Sequence, residues 1–431
     1  MTRWVPELTG DPTPPRRRPL STIEQSVLRQ QTQEWLAKGI VEITPTPLPW
    51  TNNTVFAAKA NGSLRTCIDC TPANRVTKDF EWPLPRLQDL RNFLVGHRIY
   101  SRIDLKDAFF RIHVPEEYRR WTAFTCDDQD YQFARMPFGL KTAPSTFQRF
   151  MDYALAEVKD FVFCYMDDIL IRATSFDQAR ARLKRVKEVL TRNNTTVNED
   201  KSEYLVESLK FAGMWIGPAG LGPNREQVDK ILALAPPRNK AEAQSVLGLA
   251  SYLRDFVPLS SRYSAVLSGG GRIDPALYES GWKQLTRHLA ETVTSLAMWD
   301  EDQPADLFTD GSNLACSAVL IQKGKIVALA SRKFTPTETR YSTTDREHLG
   351  LMLAVAKFKI FLHRRSPETR IHSDHTSLLN RRLYDLTPRQ CRWRTLVEAW
   401  IPNLHFVRGK ENPADYFSRW GLNIFGGQVE V

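Results

Sequence analysis

The sequence predicts a multidomain protein that combines α+β and α/β folds. At 431 residues the chain is longer than one hydrophobic core usually supports, so about two to four domains are expected. In the first half, short runs rich in β-branched and aromatic residues alternate with helical patterns. In the last third, strand patterns are joined by helical crossings, which is typical of a mixed-sheet α/β domain.

Composition and charge narrow the class of protein. A hydrophobic content of 42% and a charged content of 25% are ordinary for a globular protein. No apolar run approaches the ~20 residues of a membrane span, and no apolar signal core follows Met1, so we expect no membrane partner and an intracellular location. The net charge of +10 favours nucleic acid as a partner, although a basic surface kept for solubility explains it equally well. The six scattered cysteines are expected to be reduced thiols.

The N-terminal region contains a proline-rich arm, a helix and a hairpin. Residues 1–20 hold five prolines and little periodic apolar content, which predicts a solvated arm. Ser21 and Thr22 are candidate caps for a first helix that runs through about Ala37, with Gly39 as its stop. Strand patterns over 54–59 and 64–68 flank an Asn-Gly turn, which predicts a β-hairpin. Lys59 and Arg65 on this hairpin could clamp a phosphate, but solvated edge-strand charges are the simpler alternative.

A first set of carboxylates lies among core-type residues. The stretch Phe161–Ile171 predicts strand, turn and strand, with Asp167 and Asp168 at the turn. Upstream, Asp104 stands between apolar neighbours in a strand-like alternation over 99–112. Strands over 122–125 and 131–134 and a helix from 145 to about 158 lie between them, and a helix over 176–190 follows. Poorly solvated carboxylates must be paired or bound to metal, so these three residues predict a cation site.

A second set of carboxylates lies in the last third of the chain. A hairpin is predicted over 211–221, helices over 224–267 and a flexible joint at Ser268–Gly271. Beyond them, Asp310 and Asp374 each end a strand pattern, Glu347 opens a helix over 345–363, and Asp415 follows a strand over 404–407. Sites in such sheets tend to lie at element ends, so these four acids predict a second metal site.

Six specific sequence blocks occur in a fixed order: Ile103–Phe109, Met136–Gln148, Tyr165–Asp168, Leu247–Phe256, Thr309–Ser312 and Asn412–Arg419. Their order resembles the reverse transcriptase–ribonuclease H segment of gypsy-like LTR retrotransposon polyproteins. The resemblance extends over about residues 35–420. Chance agreement of six ordered blocks is not a serious competitor. No protease or integrase signature accompanies them, so we expect the excised mature enzyme, located in the cytoplasm within a virus-like particle.

The resemblance implies a right-hand polymerase with fingers, palm and thumb, followed by a ribonuclease H-like domain. The expected divisions are an arm (1–20), fingers and palm (21–218), thumb (219–268), connection (269–300), ribonuclease H (301–420) and tail (421–431). It also implies Mg²⁺ as cofactor, two ions per active site, with Mn²⁺ able to substitute. The implied catalytic metal ligands are Asp104, Asp167 and Asp168 in the polymerase and Asp310, Glu347, Asp374 and Asp415 in the nuclease.

Nucleotide contacts are also implied by the resemblance. Lys59 and Arg65 match residues that grip the incoming triphosphate, Phe109 matches the side chain that excludes a ribose 2′-hydroxyl, and Lys201 matches a lysine proposed to protonate pyrophosphate. The residues expected to shape the nucleotide pocket are Asp107, Ala108, Phe138 and Gly139. Residues 211–221 match a primer-gripping hairpin. The implied partners are RNA template, DNA primer, RNA–DNA hybrid and deoxynucleoside triphosphates, with monomer or dimer left open.

Three positions depart from the family pattern. The segment Cys70–Asn74 replaces a block that usually carries arginine, which leaves its role open. Gly311 stands where alanine is frequent, which we interpret as a mild change. The loop before Asp415 has no histidine, so RNA cleavage is expected to be present but slower.

Three alternative functions share some of these motifs. A pararetroviral reverse transcriptase shares most of the blocks, and the sequence separates the two only weakly. A domesticated, inactive nucleic-acid-binding derivative is disfavoured because all seven candidate acids are present. An RNA-dependent RNA polymerase conflicts with Phe109 and with the attached nuclease motifs.

Overall fold

Two compact units make up the chain in the computed structural model. The first comprises residues 1–93 and 97–212, and the second comprises residues 94–96 and 213–431. The structure describes residues 2–58, 64–85, 87–218, 220–253, 256, 279, 282–283, 286–287, 296–300, 302–313, 315–363, 369–380 and 386–415. Lys59, the Arg65 side chain, the predicted Ser268–Gly271 joint and the predicted tail lie outside the described residues. No helix of the described ranges is long and apolar enough to cross a membrane.

The first unit is a mixed assembly of short strands and helices. Its described strands are β1 Val41–Ile43, β2 Thr54–Ala58, β3 Leu64–Ile68, β4 Ile99–Leu105, β5 Phe124–Cys126, β6 Gln129–Phe133, β7 Val162–Tyr165, β8 Asp168–Ala173, β9 Val197–Val206 and β10 Leu209–Phe211. Its described α-helices are α1 Thr22–Ala37, α2 Thr71–Val76, α3 Leu87–Leu94, α4 Glu116–Arg119, α5 Ala143–Ala154 and α6 Phe176–Arg192. Short 3₁₀ helices cover Ala108–Arg111, Arg120–Thr122 and Ala156–Val158.

Three sheets contain nine of these ten strands. The largest has the order β7-β8-β4-β9, a second has the order β1-β6-β5, and β2 and β3 form the predicted hairpin. All pairings in the largest sheet are antiparallel, and the predicted strand–turn–strand over 161–171 is confirmed as β7 and β8. Helix α1 ends at Ala37, as predicted. It begins at Thr22, where Ser21 and Glu24 form a reciprocal capping box.

The N-terminal arm packs against the first unit. Trp4 is only 1% exposed, and its indole Nε1 donates a hydrogen bond of 2.9 Å to Thr142 Oγ1. The backbone N of Trp4 donates to the carbonyl of His113 at 2.8 Å, and that of Thr9 donates to the carbonyl of Val76 at 2.7 Å. The prediction of a solvated arm is therefore wrong for residues 2–9, which carry a buried aromatic anchor.

Two other elements of the first unit differ from the expectation. The strand predicted from Ile99 ends at Leu105, because Asp107 adopts a left-handed φ of 52° that opens the 3₁₀ helix Ala108–Arg111. β9, ten residues long, was not predicted, since its polar sequence lacks the alternation that marks a half-buried strand. It is held by pairing with β4.

The second unit contains a hairpin, a five-stranded sheet and five described α-helices. Its described strands are β11 Met214–Gly217, β12 Gly220–Pro223, β13 Ala305–Gly311, β14 Ala315–Gln322, β15 Lys325–Lys333, β16 Thr369–Ser373 and β17 Leu404–Phe406. Its described α-helices, in chain order, are α7 Arg225–Leu232, α8 Lys240–Tyr252, α9 Thr343–His363, α10 Thr376–Asn380 and α11 Pro388–Val397. Further 3₁₀ helices cover Glu338–Arg340, Glu398–Asn403 and Gly409–Glu411.

The sheet of the second unit is mixed, as predicted. Its order is β15-β14-β13-β16-β17, with antiparallel pairing from β15 to β13 and parallel pairing from β13 to β17. Leu307, Leu320 and Phe358 belong to one buried cluster that joins α9 to the sheet. The predicted hairpin near 211–221 is present as β11 and β12, shifted by about two residues toward the C-terminus.

Candidate functional site

A buried glutamine holds the turn between β7 and β8. Met166 has a left-handed φ of 57°, although the turn lacks glycine. Gln148 of α5 is fully buried, and its Oε1 accepts a hydrogen bond of 2.9 Å from the backbone N of Met166. Its Nε2 donates to the Cys164 carbonyl at 3.1 Å and to Asp152 Oδ1 at 2.8 Å. The turn that carries Asp167 is therefore fixed from beneath by one side chain, whose role no local sequence pattern indicates.

The three N-terminal acids, Asp104, Asp167 and Asp168, meet at the ends of adjacent strands. Asp104 on β4 lies directly opposite Asp168 on β8 in the antiparallel register. Asn198 of β9 donates a hydrogen bond of 3.1 Å to Asp104 Oδ1, and the backbone N of Asp104 donates to Ser202 Oγ at 3.1 Å. β9 thus orients one carboxylate, and Gln148 positions the turn that bears the other two.

Electrostatics favour a cation at the N-terminal acids. Burial raises the pKa of Asp168 to about 6; Arg102 and Lys201 oppose the rise, while the Asp167 and Asp104 carboxylates add to it. Arg102 is itself held by Lys201 and Lys210, whose carbonyls accept hydrogen bonds from its guanidinium at 2.8 and 3.1 Å. A buried carboxylate beside two others fits a divalent cation, which binds oxygen ligands and offsets their charge.

The expected nucleotide pocket is partly assembled around Phe109. The ring of Phe109 is buried, with its centroid 5.0 Å from that of Phe138 and 5.1 Å from that of Phe147. Gly139 has a φ of 97°, and a Cβ there would lie 3.1 Å from the Ile68 carbonyl oxygen, so glycine is required. Ala108 is buried beside Phe109, whereas Asp107 is exposed and lies 3.8 Å from Lys38 Nζ. Lys201 is exposed on β9.

The segment Cys70–Asn74 supports this pocket. Asn74 Nδ2 donates a hydrogen bond of 2.7 Å to the Gly139 carbonyl, and its Oδ1 accepts one of 2.8 Å from the backbone N of Lys141. Together with the Trp4–Thr142 hydrogen bond, these contacts hold the loop that follows Phe138. This segment, whose role the sequence left open, therefore positions the loop that follows Phe138.

The C-terminal acids, Asp310, Glu347, Asp374 and Asp415, form the tighter cluster. Ligand oxygens of Asp310, Asp374 and Asp415 all lie within 4.8 Å of one another. Asp310 is only 1% exposed, and Asp374 Oδ1 is buried without a hydrogen-bond partner among the described residues. Buried carboxylates this close repel unless protons or a cation compensate, so the arrangement fits a divalent metal ion. The N-terminal acids do not meet the same distance in the described part of the chain.

Polar side chains fix the loop that carries Asp415. Asn412 Nδ2 donates a hydrogen bond of 3.0 Å to the Thr309 carbonyl, and its Oδ1 accepts one of 3.0 Å from the backbone N of Ala414. Ser317 Oγ, opposite Asp310 in the β13–β14 register, donates to the Ala414 carbonyl at 2.7 Å. The sequence motifs include Asn412 but not Ser317, because the strand register alone brings the serine to the site.

Glycine lets helix α9 approach β13 closely. A Cβ on Gly311 would lie 2.5 Å from the Arg346 carbonyl oxygen and 2.8 Å from the backbone N of Glu347. A Cβ on Gly350 would lie 2.9 Å from the Asp310 carbonyl oxygen. The interpretation of Gly311 as a mild change is therefore wrong, because alanine would displace the helix. Glu347 is 4% exposed, and its backbone adjoins Gly311, but its carboxylate lies outside the 4.8 Å group.

Family comparisons assign both halves of the chain. Residues 57–216 match the family described as reverse transcriptase (RNA-dependent DNA polymerase). The N-terminal part of the chain therefore contains a reverse transcriptase domain. Residues 300–400 match the RNase H-like domain found in reverse transcriptase. The two domains occur in the predicted order, so the predicted reverse transcriptase–ribonuclease H identity is confirmed.

Similar proteins include retrotransposon polyproteins. The Tf2-3 and Tf2-4 transposon polyproteins of Schizosaccharomyces pombe are each 29% identical to this reverse transcriptase over 429 residues. The aligned region covers 94% of this chain but only 31% of each relative. The chain thus spans about a third of the length of the curated relatives it matches. Their description as transposon polyproteins agrees with the predicted gypsy-like origin.

Solved structures share the fold. The foamy viral protease-reverse transcriptase dRH in complex with double-stranded DNA superposes with a TM-score of 0.79 at 22% identity, covering 96% of this chain and 74% of that one. The foamy viral enzyme in complex with an RNA/DNA hybrid gives a TM-score of 0.74 at 21% identity, covering 100% of this chain and 58% of that one. The predicted fold class, a right-hand polymerase followed by a ribonuclease H-like domain, is confirmed.

Proposed function

We propose that this reverse transcriptase copies RNA and DNA templates into DNA at the N-terminal acids and hydrolyses RNA of RNA–DNA hybrids at the C-terminal acids. One observation carries the proposal: two separate groups of carboxylates are present, one in each of the two compact units. The proposed partners are an RNA template, a DNA primer, their hybrid and deoxynucleoside triphosphates. The foamy viral structures with double-stranded DNA and with an RNA/DNA hybrid support nucleic acid as the partner class.

For DNA synthesis, Asp104, Asp167 and Asp168 are the residues that would hold two Mg²⁺ ions, with Mn²⁺ as a substitute. Such ions neutralise charge on the attacking and leaving oxygens of phosphoryl transfer. The protein itself positions the carboxylates through Gln148 and Asn198. Lys59 and Arg65 would bind the triphosphate, and Lys201 would donate a proton to the departing pyrophosphate.

Sugar selection is assigned to Phe109. Its ring is fixed against Phe138 and Phe147, so it has little room to yield to a 2′-hydroxyl. Asp107, Ala108 and Gly139 would complete the pocket. Because residue 139 is glycine, its backbone lies close to β3, and a side chain at this position would push the two segments apart.

For RNA hydrolysis, Asp310, Glu347, Asp374 and Asp415 would hold the two nuclease ions. Asn412 and Ser317 orient the Asp415 loop, and Gly311 lets Glu347 approach the sheet. The absence of a histidine from residues 408–411 supports slower product release. The finer domain divisions and the virus-like particle stay predictions, and the Tf2 relatives favour a retrotransposon over a pararetroviral origin.

A primer-extension assay tests the proposed synthesis. An RNA template with a DNA primer, deoxynucleotides and Mg²⁺ should give full-length DNA, and a parallel hybrid substrate should give RNA fragments. A protein that binds the primed template but extends it with neither Mg²⁺ nor Mn²⁺ would instead be the inactive nucleic-acid-binding derivative.

A further inference from the structure

A basic cavity of about 950 Å³ lies in the first unit, beside the segment from Asp107 to Arg111. Its charged lining has four cations, Lys38, Arg111, Arg135 and Arg192, against the single carboxylate of Asp107. Pockets for nucleotide-sized ligands typically measure about 300–1,000 Å³, so the volume of this basic cavity suits such a ligand. Asp107 is shared with the expected nucleotide pocket, whereas Ala108, Phe109, Phe138 and Gly139 are not among the lining residues.

The cations of the basic cavity are poorly neutralised by the protein. Arg111 and Arg135 are partly buried, and neither pairs with a carboxylate of the described residues; the contact of the Arg111 guanidinium is with the Thr196 hydroxyl. Lys38 Nζ lies 3.8 Å from Asp107, and Arg192 pairs with Glu157. A guanidinium keeps its charge at every accessible pH, and partial burial without an acid leaves that charge uncompensated.

The titration of a neighbouring histidine reflects the same excess of positive charge. The pKa of His113 is lowered by burial and then by the cations Arg119, Arg135 and Arg3, with only Glu42 opposing them. An anion in the basic cavity would relieve the repulsion among its cations, and guanidinium groups are suited to bind phosphate through paired hydrogen bonds.

Aromatic surface lies in the same cavity. Phe110, Phe150 and Tyr153 contribute to its lining, and Tyr153 is 70% exposed. Aromatic faces beside arginines are the combination on which nucleobases stack while their phosphates are held. The lining therefore combines the two chemical features that recognise a nucleotide.

We infer that the basic cavity binds an oligophosphate, either a nucleoside triphosphate or an inorganic oligophosphate, at a site that adjoins the expected polymerase nucleotide pocket at Asp107 but has its phosphate-binding arginines outside that pocket. The guanidiniums of Arg111 and Arg135 bind the phosphates, and Tyr153 offers a stacking face to a base. This inference goes beyond the proposed function and does not depend on DNA synthesis.

Calorimetric titration of the full chain tests the inference. ATP and inorganic tripolyphosphate are titrated separately in excess EDTA, so that metal-dependent binding at the acids is suppressed. Wild-type protein should show saturable binding, and Arg111→Gln combined with Arg135→Gln should weaken it by about tenfold or more, since each charged hydrogen bond contributes about that factor. Arg180→Gln with Lys184→Gln removes the same charge from exposed positions of α6 and should leave the affinity unchanged.

Two further variants test whether the oligophosphate binds in the basic cavity or elsewhere on the chain. Lys38→Gln changes an exposed side chain and should also weaken oligophosphate binding. It serves as the test variant if a thermal melt shows that the double arginine variant is unfolded. Lys59→Gln changes a residue of the expected polymerase nucleotide pocket, and it should not change the affinity for oligophosphate in EDTA.

The ligand comparison identifies the source of the phosphate. Tighter binding of ATP than of tripolyphosphate supports a nucleotide recognised through Tyr153, and equal binding supports recognition of the phosphate chain alone. The inference is overturned if wild-type protein binds neither ligand at millimolar concentration, if the Lys38 and arginine variants bind as wild type, or if Lys59→Gln alone abolishes binding. Preference for a short single-stranded DNA over both ligands would also overturn it.

Discussion

Replacing Gly311 by alanine should selectively impair RNA cleavage. The added Cβ would lie 2.5 Å from the Arg346 carbonyl oxygen, whereas ordinary contacts begin near 3.4 Å, so α9 or β13 must move by about 0.9 Å. The backbone of Glu347 lies 2.8 Å from the same Cβ and would move with the helix. Overpacking of this kind costs about 1–3 kcal/mol of folding free energy.

The effect on chemistry should exceed the effect on stability. A displacement of about 1 Å at a catalytic group can cost about 10²-fold in rate, so we expect hybrid cleavage by Gly311→Ala to fall by about tenfold to a hundredfold. Primer extension should be unchanged, because the N-terminal acids belong to the other compact unit. The assay measures both activities on the same preparation, with a Mg²⁺ titration of the cleavage rate.

Gly248→Ala is the matched control. A Cβ at that position of α8 meets no heavy atom within 4 Å, and alanine should stabilise a helix interior by about 0.5–1 kcal/mol. Unchanged cleavage by this variant would show that loss at Gly311 is specific. Full RNA cleavage by Gly311→Ala, with wild-type Mg²⁺ dependence, would refute the reasoning from the close backbone approach.

Three further outcomes follow from the first unit. Gln148→Leu leaves the backbone N of Met166 without its hydrogen-bond acceptor, at a cost of about 1–3 kcal/mol. Primer extension should therefore fall by at least tenfold while hybrid cleavage persists. Equal loss of both activities would argue for general unfolding. Phe109→Val should admit ribonucleotides, measured as the ratio of kcat/KM for deoxy- and ribonucleotides, and an unchanged ratio would remove its gating role. In EDTA, the pKa of Asp168 is about 6, above its ordinary 3.8, so the folded state retains a proton that the unfolded state loses. Its contribution to the free energy of unfolding should therefore fall as pH rises from about 4 to about 6 and then level off, and Asp168→Asn should remove that slope in urea titrations.

Local signals in the sequence were sufficient for much of the fold. Ser21 and Glu24 lie three residues apart, so the start of α1 could be predicted from spacing alone. The apolar residues around Asp167 and Asp168 similarly predicted β7 and β8, because burial on both sides of a turn requires a dense run of core residues.

Tertiary contacts determine the elements that the sequence could not predict. Trp4 stands among prolines without periodicity, and its contacts with residues far along the chain, among them His113 and Thr142, make it a core residue. β9 has a polar sequence and exists because β4 offers an edge for its backbone. Its Asn198 reaches Asp104 through that pairing.

Part of the C-terminal site also could not be predicted from the sequence. The close approach of Gly311 to Arg346 depends on how α9 packs on β13, which no local pattern encodes. Ser317 reaches the Asp415 loop through strand register. Conversely, the motifs placed Asp310, Asp374 and Asp415 in one predicted set, and the structure brings these three together.

Separation of the two activities is the most direct test of two independent sites. Asp167→Asn and Asp310→Asn each remove one carboxylate charge while keeping side-chain shape, and each protein is assayed for primer extension and for hybrid cleavage. Two independent sites predict that Asp167→Asn abolishes DNA synthesis with RNA cleavage retained, and that Asp310→Asn does the reverse. Joint loss or joint retention of both activities in the two variants would contradict this prediction.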